Sequence, residues 1–581
     1  MTKKNKKGTA LRLLKYLLDA KRLFIFALIL TVISNYLALY IPLYSGKAID
    51  AIGLDGNVNF ELVFMNCKYM LACIILSALS SYFTEVLLVK LSAKITKKMR
   101  KEVFEHLQEL PVSYFDHHAT GDIISRISYD IDTINTSLSS DLITILTTLI
   151  TVVGSLIMMI RISPTLCLIF VVTTPIIVFI TRHRAKKVRP MFSKRSHLLG
   201  KLNGFVEEML SGYKTIKAYG KEDKIVERFD TNNIEAVDAY YEAEYEGSIV
   251  GPTVALVNNL SLSFVSGLGA ILFLNKQISI GNISSFIMYS RKFSGPISEL
   301  ANIMAELQSA ISAAERVFDL LDTPVEKEDD EDAINLDNVS GDISFDKVHF
   351  SYEAGKEIIH GIDLHIQPGK LVAIVGPTGA GKTTIINMLM RFYDPTSGTI
   401  KLDGNDITRC TRSSLQKQYS MVLQDTWLFD GTVYENVAYG KEHATKEEVI
   451  EVCKAAQIHD FIMTLKDGYD TRIQENGVNI SKGQKQLLTI ARAMLSDTKM
   501  LILDEATSNV DSYTEQKIQS AIQELCKNKT AFVIAHRLST IENADLIVVL
   551  RHGEIIEQGT HDELLKQKGF YASLFNAQWE G

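Results

Sequence analysis

Long apolar runs separated by short polar breaks fill the first half of the chain and then stop. Five uncharged runs stand out, at residues 23–46, 69–84, 142–160, 162–181 and 247–275. A sixth, at 277–290, is shorter and runs into Arg291 and Lys292. A helix needs about 20 apolar residues to cross a hydrocarbon core of roughly 30 Å. The pattern therefore predicts six membrane-spanning helices. The stretches at 90–141 and 182–246 keep a helical periodicity with few breakers, so the spans are expected to continue into the cytosol. Each extension should turn once, near residues 111–121 and 212–220, far enough from the bilayer to touch a cytosolic domain.

Charge sets the orientation. The two long loops carry 7 and 13 Lys and Arg, whereas the loops after spans one, three and five carry 2, 1 and 1. Basic loops stay on the cytoplasmic side, so both termini and both long loops are read as cytoplasmic. Six buried helices of a soluble protein would not produce that alternation. Residues 1–322 hold 35 basic and 29 acidic side chains; the remainder holds 26 and 39. The basic half carries every long apolar run, which excludes a uniformly soluble enzyme and a disordered chain. Six cysteines, at 67, 73, 167, 410, 453 and 526, include no Cys-x-x-Cys pair. That argues against a zinc site or a disulfide scaffold. The basic start has no small-residue cleavage site after its first apolar stretch and reads as a cytosolic tail.

The run Thr323-Pro-Val-Glu-Lys-Glu-Asp-Asp-Glu-Asp breaks the pattern and is expected to be a solvated linker. The expected organisation is a six-helix membrane domain at 1–322, an acidic linker at 323–340 and an α/β domain at 341–581. In the last of these, short β-rich segments alternate with helical ones. The strand pattern Leu371-Val-Ala-Ile-Val runs into Gly376, Pro377, Thr378, Gly379, Ala380, Gly381, Lys382, Thr383 and Thr384, and then into a helical pattern. This is a phosphate-binding loop in its strand–loop–helix context. Glycines let backbone N–H groups close around phosphates, and the helix N-terminus favours negative charge. Lys382 is expected to reach the β/γ-phosphates of ATP, and Thr383 to ligate Mg²⁺. A second strand, Met500-Leu-Ile-Leu, read as lying beside the first, ends in Asp504 and Glu505. Asp504 is suited to hold Mg²⁺, directly or through water, and Glu505 to polarise an attacking water.

Between these motifs, Asn479-Ile480-Ser481-Lys482-Gly483-Gln484 opens a helix. This stretch, with the order of the others, resembles the ATP-binding-cassette family over nearly the whole chain. The chain is similar to an exporter half-transporter, with six spans fused to one P-loop nucleotide-binding domain. The resemblance implies that Tyr352 stacks on adenine and that Gln424 senses Mg²⁺ and touches the membrane domain's loops. It implies that Ser481, Gly483 and Gln484 press on ATP held by the opposite subunit. Asp504 matches the metal-holding acid, Glu505 the catalytic glutamate, Asp511 the loop linking the two sites, and His536 the γ-phosphate switch. Residues 113–126 and 208–217 are similar to the family's coupling-helix regions, the second crossing to the partner's nucleotide-binding domain. A dimer is implied, because one chain has half the spans.

The chain departs from the family where Ile480 and Lys482 replace the leucine and first glycine of Leu-Ser-Gly-Gly-Gln. Asn509 and Val510 also replace the commoner Ala-Leu before Asp511. Heterodimeric exporters often pair a subunit that keeps the catalytic glutamate, but has an altered signature, with a partner showing the reverse. A heterodimer is thus expected, with a homodimeric exporter or lipid flippase as the alternative. The expected activity is ATP-driven export of a hydrophobic or amphipathic drug, lipid or peptide across a bacterial cell membrane. An ATP-gated channel or membrane regulator would carry the same motifs. The spans argue against a nucleic-acid motor, and their fusion to the cassette argues against an importer. With no peptidase-like domain before residue 23, a leader-cleaving peptide exporter is not expected. Asn35, Asn258, Asn259, Arg291 and Lys292 are candidate substrate contacts, because polar groups inside spans are expensive. Arg291, about 21 Å along its helix from Gln277, can alternatively snorkel to the interface.

Overall fold

The structure is a computed structural model that describes residues 6–53, 58–353, 355–424, 426–473, 480–504, 511–534 and 538–579. It forms two compact units. One is Met1–Gln108 with Thr120–Pro324, the other Glu109–Ala119 with Val325–Gly581.

The first unit is helical. A short α1 (Lys6–Asp19) leads into α2 (Lys21–Ile52) and α3 (Phe60–Glu109). The segment that belongs to the other unit carries α4 (Val112–His117). Then α5 (Thr120–Ser125), α6 (Ile131–Thr136) and α7 (Leu142–Ile162) follow, joined by π-helical turns at Arg126–Asp130 and Ser137–Asp141. Ser163 ends this run and caps α8 (Pro164–Ser211), accepting from the Leu166 amide at 3.4 Å. Pro164 sits in the first turn, where its missing N–H costs nothing. The remaining helices are α9 (Tyr213–Ala218), α10 (Glu222–Ser248), α11 (Val250–Leu274) and α12 (Ile280–Leu321). The short helices α4 and α9 stand where the two turns were expected.

Among the described residues, five runs are long and apolar enough to cross a membrane: Lys21–Ile52, Phe60–Glu109, Thr120–Ile162, Pro164–Ser211 and Glu222–Leu274. The sixth expected span opens α12, where Arg291 and Lys292 interrupt the apolar stretch. In the most apolar part of α3 only 6% of residues are buried, and Leu71, Ile74, Ile75 and Leu79 lie exposed. Water penalises such a face; hydrocarbon does not.

Side chains of α12 fasten it along α2. Asp50 accepts from Ser279 Oγ at 2.6 Å and from the Gly281 amide at 2.7 Å. A Cβ on Gly281 would fall 2.0 Å from the Gly46 carbonyl oxygen, so only glycine permits this approach. Further along, Ser285 donates to Pro42 O (2.8 Å), Tyr289 to Leu39 O (2.5 Å) and Lys292 to Ala38 O (3.0 Å). The last bond has a covalent cause. Pro42 has no N–H, which leaves the carbonyl four residues back, Ala38, without its helical partner. An unsatisfied carbonyl is costly in a bilayer, and Lys292 supplies the donor. Lys292 is thus engaged within the helix pair. Asn35 is engaged too, donating to Thr31 O at 2.8 Å and accepting from Thr151 Oγ1 at 3.2 Å.

The second unit is built on two sheets. Its strands are β1 (Ile343–Glu353), β2 (Lys356–Ile366), β3 (Leu371–Val375), β4 (Ser397–Leu402), β5 (Asn405–Asp406) and β6 (Tyr419–Val422). They continue as β7 (Gly431–Thr432), β8 (Arg472–Ile473), β9 (Met500–Asp504), β10 (Thr530–Ile534), β11 (Leu546–Arg551) and β12 (Glu554–Gly559). Helices α13 (Lys382–Leu389), α14 (Arg412–Gln416), α15 (Val433–Ala438) and α16 (Lys446–Ala455) intervene. They are followed by α17 (His459–Thr464), α18 (Lys482–Leu495) and α19 (Ser512–Cys526). The order β2-β1-β4-β5 makes an antiparallel sheet, and β12-β11-β3-β10-β9-β6 a sheet parallel except at β12. Strands buried on both faces read as unbroken apolar runs, and alternate residues serve two cores. Val372, Ile374, Ile502 and Phe532 join the cluster around β1, β2, β4 and α13. Ala373, Val375, Leu503 and Val533 join the cluster with α18 and α19.

The acidic run after residue 323 is more than a solvated linker. Arg412 meets Glu326 at 3.4 Å, Asp329 at 3.6 Å and Asp394 at 3.1 Å, and donates to Lys327 O at 2.7 Å. Buried Arg391 pairs with Asp329 and Asp394. The same unit holds the 109–119 segment, through Glu326 N to Glu109 O (2.8 Å) and Tyr393 OH to Asp116 (2.7 Å).

Candidate active site

A parallel sheet delivers the C-terminal ends of its strands to one edge, where ligands of α/β folds gather. Three sequence motifs arrive there. β3 ends at Val375 and opens the glycine loop, β9 ends at Asp504, and β6 ends at Val422, two residues before Gln424. The register is continuous across the sheet: Ile374 pairs with Ile534, Ile534 with Asp504, and Leu503 with Val422. One expectation needs correction. β9 does not lie beside β3, because β10 is inserted between them.

The loop from Gly376 to Gly381 is held from below. Ala380 is buried, its carbonyl accepts from the Gly553 amide at 3.2 Å, and its amide donates to Pro377 O at 3.2 Å. Gly379 and Gly381 have φ of 81° and 103°, a left-handed region that favours glycine. Beside Gly379 a Cβ would meet open space, whereas beside Gly381 it would come within 2.7 Å of Ile359. Pro377, Thr378 and Gly379 are exposed, and α13 begins at Lys382. Amides at a helix start, under a concave glycine turn, fit a polyphosphate. Lys382 reaches across the loop, donating to Gly376 O at 2.7 Å and Pro377 O at 3.1 Å. Burial pushes its ammonium below the usual lysine range, against an opposing pull from the Asp504 carboxylate. Thr383 is exposed and Thr384 buried.

Tyr352 stands on β1 beside this loop, half exposed. Its hydroxyl donates to Thr384 Oγ1 and accepts from Asn387 Nδ2, both at 3.3 Å. The signature stretch sits elsewhere, at the start of α18. Ser481 and Gln484 form a reciprocal capping box there, Ser481 N to Gln484 Oε1 at 2.8 Å and Gln484 N to Ser481 Oγ at 3.3 Å. Gly483 is buried, while Ser481 and Lys482 are exposed. Asp511 caps α19, and the Thr514 amide it accepts (2.9 Å) holds its carboxyl below the ordinary range. Glu505, Asn509, Val510 and His536 lie outside the described residues.

Sequence reasoning missed Tyr393. Its ring meets that of Tyr352 edge-on at 4.9 Å, and Phe350 closes the trio. The signal was the turn-forming Arg391-Phe-Tyr-Asp-Pro directly after α13, whose tertiary neighbours no local pattern reveals.

Residues 24–297 match the family described as ABC transporter transmembrane region, and residues 359–508 the family described as ABC transporter. The ABC transporter ATP-binding protein YfiC of Bacillus subtilis is 41% identical, over 99% of this chain and 95% of its own length. A fatty acid ABC transporter ATP-binding/permease protein of Mycobacterium bovis is 39% identical, over 98% and 96%. An ATP-dependent lipid A-core flippase of Photorhabdus laumondii is 37% identical, over 90% of each. Among solved structures, a bacterial Atm1-family ABC exporter with ATP bound superposes with a TM-score of 0.77 at 30% identity, covering 96% of this chain and 98% of that one. Membrane helices, glycine loop and relatives agree: the chain belongs to the ABC transporter family, as a multi-pass membrane protein whose cytoplasmic domain binds and hydrolyses ATP to drive export.

Proposed function

We propose that this chain is one half of a heterodimeric exporter that carries an amphipathic, acyl-bearing compound out through a bacterial cell membrane, with both termini cytoplasmic. The observation that carries the pairing is Lys482, an exposed cation on the first residue of α18. The helix dipole disfavours positive charge there, and a glycine would let a facing backbone come closer. The lysine serves neither its helix nor the core, which suits a subunit facing a degenerate nucleotide site on its partner. For the substrate, support comes from relatives named for fatty acid and lipid A-core. It comes also from α12, where Ile283, Ile287, Met288 and Arg291 line one open groove of about 330 Å³. An apolar face ending in a guanidinium suits an acyl chain with an anionic head.

In this reading the loop amides from Gly376 to Thr384 and the Lys382 ammonium bind the phosphates of ATP, and Tyr352 stacks on the base. Glu505 orients water for in-line attack, and His536 holds the γ-phosphate. Mg²⁺, a hard cation that takes oxygen donors and keeps phosphate oxygens as ligands, would be held by Thr383, Asp504 and Gln424 and would offset developing charge. Ser481, Gly483 and Gln484 close over the partner's ATP, and Asp511 links the two sites. Contacts made only on closure let ATP favour one state of the dimer.

The chain purified alone in lipid nanodiscs, with Glu505→Gln as blank, tests the pairing through Mg²⁺-ATPase activity. Silence alone, with turnover restored by a co-expressed second half-transporter, is the expected result. Turnover by the chain alone, lost in Glu505→Gln, would establish a homodimer that tolerates Lys482. In proteoliposomes, ATP should move a fluorescent fatty acid or phospholipid; an ATP-gated ion current in its place would make the protein a channel.

A further inference from the structure

The aromatic side of the nucleotide loop is wired to α4. Tyr352 is fixed at its hydroxyl by Thr384 and Asn387 on α13, and its ring meets Tyr393 at 4.9 Å with an interplanar angle of 89°. Tyr393 is not free to swing. Arg391, buried, sits two residues before it and pairs with Asp394 at 3.0 Å, and Arg412 takes the other oxygen of Asp394 at 3.1 Å. From this clamped turn the Tyr393 hydroxyl donates to Asp116 at 2.7 Å. Asp116 lies on α4, within the short segment that packs with the nucleotide-binding unit. On either side of that segment the chain returns to the membrane unit, directly into α3 and α5.

We propose that Tyr393 is a positioning residue that ties the base side of the ATP site to α4, through Tyr352 on one side and the Asp116 carboxylate on the other. This rests on the reading of Tyr352 as the base-stacking residue. A base laid on Tyr352 limits the tilts open to that ring, and the edge-on contact passes the restriction to Tyr393, whose hydroxyl then grips α4. Such coupling is reciprocal: whatever holds α4 in place improves binding of the base by the same factor. It discriminates between ligands with and without a base, because the phosphates are held by the glycine loop and Lys382 instead.

The test is equilibrium binding to the full chain in nanodiscs, which needs no turnover. A ribose-labelled fluorescent ATP serves as probe and inorganic tripolyphosphate as the baseless competitor. Tyr393→Phe keeps the ring and deletes only the hydroxyl. Asp116→Ala deletes the acceptor, and Asp116→Asn keeps a weaker one. Tyr393→Phe and Asp116→Ala should each weaken ATP binding about fivefold, in line with loss of a charge-assisted hydrogen bond. Asp116→Asn should recover part of the loss, the double variant should be no worse than either single one, and tripolyphosphate affinity should not move. A silent Tyr393→Phe, multiplied effects in the double variant, or an equal loss for tripolyphosphate would each overturn the proposal. If Tyr352→Ala leaves ATP affinity unchanged, it is the base-stacking reading that fails.

Discussion

Asp403 shows how much one side chain can organise. It lies in the left-handed region, which aspartate tolerates. From there its carboxylate accepts from Ser340 N (2.5 Å), Ser340 Oγ (2.7 Å), Asp342 N (2.9 Å) and Gly341 N (3.1 Å), fixing the entry to β1. Burial pushes its carboxyl upward, but the Ser340, Asp342 and Gly341 hydrogen bonds together outweigh it and hold the group below the ordinary range. A depressed folded-state pKa contributes stability that is present above the unfolded value, about 3.9, and lost as pH falls through the folded one. Asp403→Asn should therefore lower stability by about 1 kcal/mol at pH 7, with the difference closing below about pH 4; thermal unfolding across pH would show it. Residues of this kind were invisible in the sequence, because their partners lie some 60 positions away. The glycine loop was legible because its chemistry is set by contiguous residues, from Gly376 to Thr384. Tyr393 was not, since its role depends on what β1 and α4 bring to it.

At the scale of elements, the apolar periodicity located the helices well, down to the two turns at α4 and α9. It was weakest at α12, where Arg291 and Lys292 blur the span and Lys292 is one of the groups that fasten it to α2. The acidic run misled for a related reason. Clustered carboxylates normally signal solvation, but here Arg391 and Arg412 arrive from later elements to pair with Asp329, and Arg412 with Glu326 as well. Arg412 is 12% exposed and serves three carboxylates. Its replacement by alanine leaves Glu326 without this cation and leaves Asp329 and Asp394 to Arg391 alone. After discounting for the partly exposed acids, the expected loss is about 2 kcal/mol. Glutamyl-specific proteolysis should then cut the chain at Glu326 or Glu328 far faster than in the parent protein, and an unchanged rate would show that the latch carries no stability.

For the whole molecule, the division into two units that are not contiguous in sequence has a thermodynamic signature. Ligand binding stabilises only what must unfold to release it, by about 2.7 kcal/mol at 100 times Kd. Non-hydrolysable ATP should raise the unfolding of the nucleotide-binding unit by about 5–10 °C. Calorimetry should show the membrane unit's transition staying in place, and an equal rise in both transitions would contradict the expectation. The charge split and the motif order made this architecture readable in one dimension, and the breakers Pro111 and Gly121 marked the turn that carries α4; the partners that hold it, Tyr393 and Glu326, were not readable, because they lie more than 200 positions away. The join between Pro42 and Lys292 reaches further still. A missing amide hydrogen on one helix and an ammonium on another compensate each other, so each is a liability without its counterpart. Such a pair is expected to be inherited as a unit. A relative with an ordinary residue at position 42 has no such reason to keep a cation at 292, and the two positions should change together.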